Sequence, residues 1–167
     1  RPPSDCEDVS DDMARMHVSP VFDRDFVYPD PPDWCDLMML KLLLIAGGGG
    51  VGAVLRFLVA GAAVRVAGDG FPFGTLIVNL LGCLVIGVGA ALLTGPWIER
   101  HAELYRAALL IGLLGGFTTF STFGHETATL LQSGAWMRAA VYLGLSNAVG
   151  IALALGGYRA TQLLIGA

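Results

Sequence analysis

The chain has little charge, and most of that lies at one end. Only 14% of its 167 residues are charged, against 54% that are hydrophobic. So few polar residues do not cover the surface of a water-soluble domain of this length. Cysteine is also scarce: Cys6, Cys35 and Cys83 form no CxxC pair. An odd count at these spacings supports neither a disulfide framework nor a zinc site. Cys83 sits inside an apolar run and reads as a small residue in a helix contact. Histidines, carboxylates and cysteines do not cluster within the apolar runs. There is no GxSxG, no Walker A lysine and no paired membrane carboxylate, which excludes the common catalytic constellations. His125 has no second histidine at ligand spacing, so no metalloprotease helix exists here. No basic patch points to nucleic acid.

Residues 1–36 hold ten acidic side chains and three arginines, a formal charge of −7, whereas residues 37–167 carry +3. The first part is rich in Asp and Pro and lacks apolar periodicity, which describes a disordered tail. It lacks the basic start and apolar stretch of a signal peptide. Because the chain begins with Arg1, the expectation is an upstream start or a fragment, with Met38 or Met39 as the natural beginning.

Residues 37–167 divide into four apolar spans, at about 38–64, 73–94, 105–131 and 137–160. A helix of about 20 residues crosses the hydrocarbon layer. The linkers carry turn chemistry at Asp69-Gly70, Gly95-Pro96 and Ser133-Gly134. The alternating pattern of a β-barrel is missing, so the fold class is an all-α integral membrane protein. Lys41, Arg100, Arg106 and Arg159 fall on one side. Arg65, Arg138 and arguably Arg56 fall on the other. That is a weak positive-inside bias. It suits either insertion in both orientations or one fixed orientation with poorly marked loops.

Gly47, Gly49 and Gly52 match GxGxxG formally, but inside an apolar span they read as a small-residue helix face. Arg56 lies well inside the first span, where it either snorkels or borders an anion vestibule. Asn79 in the second span, with Thr75 one turn before it, either bonds a neighbouring helix or contacts an ion. The third span is the most informative. Gly115-Gly116-Phe117-Thr118-Thr119-Phe120-Ser121-Thr122-Phe123 places two glycines and a run of hydroxyls at mid-membrane, a poor helix centre. A break there frees carbonyls that need a partner in lipid. On a resumed helix Phe120 and Phe123 share a face, and two ring edges turned into a narrow pore favour a small anion. The plain alternative is that the rings pack and the hydroxyls bond back to their own helix. Glu126 follows one turn later, at an interface or a pore mouth. Tyr142, Ser146 and Gly150 recur at i, i+4 and i+8 in the fourth span, with Asn147 beside them, a polar-small stripe that either lines the same pathway or packs against another helix.

On these residues the chain resembles the CrcB/Fluc family of small bacterial fluoride channels. The matching stretches are Gly47-Gly48-Gly49 through Arg56-Phe57, Gly74-Thr75-Leu76 with Asn79 and Gly82, and above all Gly115 to Phe123. The resemblance implies a dual-topology antiparallel homodimer of four-helix chains in the inner (plasma) membrane, with the third helix broken. It implies passive export of fluoride, and a structural sodium ion held by the carbonyls of Gly115 and Thr118. Phe120, Phe123 and Asn79 carry over as pore residues, with Ser121, Thr122, Glu126, Tyr142 and Ser146 as further track residues. Gly150 falls where some relatives have a hydroxyl, so the resemblance implies a shorter track. The expected partners are fluoride, membrane lipid and a second copy of the chain, with no nucleic acid. Two rival functions suit four spans. A small dual-topology multidrug transporter would want a carboxylate in the first span, which has Arg56 and no acid. A non-conducting accessory subunit would pass no ions.

Overall fold

The computed structural model describes residues 34–93 and 102–166. The tail up to Asp33, the Gly95-Pro96 turn and Arg100 lie outside the described residues. Contacts divide the chain at Leu42. The described part of the first unit is helical. The second unit, Leu43–Ala167, holds everything that follows.

Every described element is helical. We label Trp34–Ala67 as α1 and Phe73–Leu93 as α2. Ala102–Tyr105, a π-helical stretch Arg106–Leu114 and Gly115–Phe117 together form α3. Phe120–Gln132 is α4. Trp136–Gly144, a short π-helical stretch Leu145–Val149 and Gly150–Ile165 form α5. Among the described residues, four runs are long and apolar enough to cross a membrane: Asp36–Ala67, Phe73–Leu93, Arg106–Gln132 and Trp136–Ile165. In lipid the helix is forced because it satisfies every backbone group within the segment.

Small residues set the helix spacing. A Cβ on Gly52 would strike the Leu113 carbonyl, and one on Gly116 would strike the backbone of Gly49. The glycine face of the first span therefore lets α1 lie directly on α3, as the small-residue reading expects. α2 packs along the last part of α5. A left-handed Gly68 (φ 82°) ends α1, its N–H donating to Val64 O at 2.8 Å. Gly134 (φ 76°) turns the chain between α4 and α5. Arg138 ties this end together by donating to Gly70 O at 3.2 Å.

The third span is interrupted after Phe117. Thr118 (φ −82°, ψ 157°) and Thr119 (φ −148°, ψ 114°) are extended. The helix resumes at Phe120, with Thr119 as N-cap: its Oγ1 accepts from the Thr122 N–H at 3.3 Å.

Candidate functional site

The break leaves peptide groups that lipid does not satisfy, and α2 answers them with an amide. Asn79 Oδ1 accepts from Thr119 N–H at 2.9 Å, and Asn79 Nδ2 donates to Thr119 O at 3.1 Å. One side chain thus pairs both faces of the extended residue, as a neighbouring strand would. Its carbonyl and one N–H are engaged; the second N–H of Nδ2 remains. Gly82, one turn further along α2, makes room for the break. A Cβ there would collide with the Thr118 methyl.

The hydroxyls divide into two kinds. Thr118 Oγ1 bonds back to Leu114 O at 3.0 Å, and Thr127 Oγ1 to Phe123 O at 2.8 Å, which is local backbone satisfaction. The others gather on Thr119 Oγ1, which lies 3.0 Å from Thr122 Oγ1 and 3.3 Å from Ser121 Oγ. Ser121 and Thr122 are exposed on the single chain.

Further along, the carboxylate of Glu126 gathers two hydroxyls. Tyr142 OH donates to Oε2 at 2.6 Å and Thr75 Oγ1 to Oε1 at 2.9 Å. Tyr142 is fully enclosed (0% exposed). It packs with Phe123 and Leu76 in the apolar cluster of this region. The sequence pointed to Glu126 and Tyr142 separately. Thr75 had drawn notice as the neighbour of Asn79, and it belongs with Glu126 instead.

Phe120 and Phe123 are adjacent, as their spacing predicts, with ring centroids 5.7 Å apart and planes at 45°. Their surroundings differ. Phe123 is 8% exposed and lies 5.1 Å from the Tyr142 ring. Phe120 is 81% exposed and projects from the chain.

Beside the break lies a half-open groove of about 340 Å³. Its walls come from Asn79 and Cys83 of α2, Gly115 of α3, Phe120 and Phe123 of α4, and Ser146 and Asn147 of α5, among others. Ser146 Oγ is buried and has no hydrogen-bond partner among the described residues. Gly150 is not in this wall. It is buried, and a Cβ there would come within 3.2 Å of Cys83 Sγ. The 3.6-residue spacing suggested a stripe through Tyr142, Ser146 and Gly150. Tyr142, Gly150 and the Ser146 hydroxyl are all buried, so the stripe is a packed face of α5, and Asn147 beside it is exposed. Arg56 is half-buried on α1, and no described residue pairs with it. It takes no part in either hydrogen-bonded cluster.

A family model described as CrcB-like protein, Camphor Resistance (CrcB), matches residues 43–158. A protein of Rhizobium etli named fluoride-specific ion channel FluC is 40% identical over 127 residues, covering 76% of this chain and all (100%) of that one. A protein of the same name from Shewanella baltica (strain OS185) is 50% identical over 101 residues, covering 60% of this chain and 79% of that one. A third, from Shewanella sp. (strain ANA-3), is 48% identical over 103 residues, covering 62% and 81%.

Proposed function

The chain belongs to the CrcB-like family, and from that premise we propose how its groove and helix break conduct an anion. The protein is a fluoride-specific ion channel, a multi-pass membrane protein and not an enzyme. The observation that carries the pathway is the groove itself. It joins hydrogen-bond donors, two phenyl rings and a break in the backbone along one open face.

Fluoride is small and holds its water strongly, so a pore must replace that water stepwise. The remaining N–H of Asn79, the exposed hydroxyls of Ser121 and Thr122, and the unpaired Ser146 hydroxyl supply donors without fixed charge. The rings of Phe120 and Phe123, which line the groove, offer positive edges to the anion. Beyond the groove, the buried hydroxyls of Tyr142 and Thr75 are held by Glu126 and become donors to fluoride only when the carboxylate releases them. Arg56, a half-buried cation of the first span that no described residue pairs with, adds positive potential to the membrane-spanning part of the chain. A passage fitted to fluoride excludes chloride by size and donor geometry. Flow is passive: hydrogen fluoride enters from acidic surroundings, dissociates inside, and the trapped anion leaves down its gradient.

Sodium fits the break. Thr119 N–H turns to Asn79 and Thr122 N–H to Thr119 Oγ1, so the Gly115 and Thr118 carbonyls lose their helical donors. Backbone carbonyls of this kind hold alkali cations elsewhere. No cluster of His, Cys, Asp or Glu among the described residues offers a side-chain alternative. When bound, sodium supplies positive potential beside the anion path. A second copy, inserted antiparallel, would double the carbonyl set. It would also cover the exposed Gly115, Ser121 and Phe120, polar and aromatic groups that a lone chain leaves to lipid.

The test is anion efflux from liposomes holding the purified protein. Rapid fluoride efflux without proton coupling, and no chloride efflux, is the expected result. Proton-coupled drug exchange would instead support the transporter, and silence the accessory subunit.

A further inference from the structure

We propose that Asn147 is a further conduction residue, contacting permeating fluoride through its second Nδ2–H. The proposal rests on reading the groove as the pathway, and goes beyond it by adding a donor.

Ser146 and Asn147 both line the groove, and residues Leu145–Val149 around them form a π-helical stretch, in which i→i+5 bonding widens the turn. Stretches of this kind recur at functional sites. Gly150, the next residue by regular spacing, is turned away against Cys83.

The amide is already oriented. Asn147 Nδ2 donates one hydrogen to Leu143 O at 2.8 Å, which fixes the side chain against its own helix. Its second hydrogen and its Oδ1 have no partner among the described residues, and the residue is exposed to the groove. Next to it, Ser146 Oγ is buried and unpartnered. Leaving a buried donor unpaired is unfavourable, and apolar neighbours do not relieve it. The Ser146 hydroxyl and the second Asn147 amide hydrogen are thus two donors of groove-lining residues without a partner among the described residues. A fluoride passing along this wall meets the Asn147 amide, the exposed one of the two.

The test is the unitary fluoride current of the purified full chain in planar bilayers, which reads assembled pores only. Asn147→Leu and Asn147→Met should each lower it about tenfold. Asn147→Gln, which retains an amide, should stay within about threefold of the unmodified chain. Unchanged unitary current in the Leu and Met variants overturns the proposal. So does a mere fall in the number of pores, which would assign Asn147 to packing. Ser146→Ala and Phe120→Ile serve as controls for the groove. If they reduce current while Asn147→Leu does not, only this inference fails. If all three conduct normally, the groove reading itself fails.

Discussion

Two polar regions lie within a few turns of each other along the third span, and they are built on opposite rules. Around Asn79 and Glu126 each acceptor has found a donor inside the chain: Thr119 N–H on Asn79 Oδ1, and Tyr142 and Thr75 on the two carboxylate oxygens. Across the groove, α5 carries donors without a partner among the described residues, and Phe120 is largely exposed. In the closed region Asn79 holds the backbone break in shape. The open region is available to something that is not part of the chain. In hydrocarbon the distinction is sharp, because water is not present to satisfy what the protein leaves over.

The comparison breaks most readily at Asn79. Asn79→Leu leaves both the N–H and the C=O of Thr119 without partners, each at a cost of about 1–3 kcal/mol. Thermal unfolding in detergent should show the largest loss of stability, and liposomal fluoride efflux should fall with it. Normal stability in this variant would mean that the amide does not hold the break. A smaller effect is expected from Tyr142→Phe, which removes one hydroxyl from Glu126 but keeps the ring between Phe71 and Phe123. A hydrogen bond to an ionised group contributes about 1.5–3 kcal/mol, and Thr75 still holds the other oxygen. Stability should drop less than for Asn79→Leu. A larger drop would reverse the ranking of the two clusters.

Much of this was legible in the sequence, for identifiable reasons. The break shows because Gly115-Gly116 followed by β-branched hydroxyl residues contradicts helix propensity at a depth where only helix is tolerated. The glycine face of α1 shows because nothing else explains so many small residues in one span. Asn79 stood out as an amide in lipid, but its bidentate hold on Thr119 needs the fold, since the residues lie 40 apart in the chain. Thr75 was readable as a helix-face neighbour of Asn79, yet its bond to Glu126 spans 51 residues. The π-helical turn leaves no mark in hydrophobic periodicity. The sequence showed the stripe and Asn147 beside it, but that Gly150 packs on Cys83 while Asn147 lines the groove needs the fold.

The central claim is that the open face carries the ion, with Phe120 at its edge. It is tested most directly by fluoride efflux from liposomes containing Phe120→Ile, with assembly checked by size-exclusion chromatography. Phe120 is 81% exposed on the single chain, so its loss should leave the chain's own packing intact. A sharp fall in fluoride flux from a normally assembled protein is the predicted result. Flux equal to that of the unmodified protein would contradict the claim.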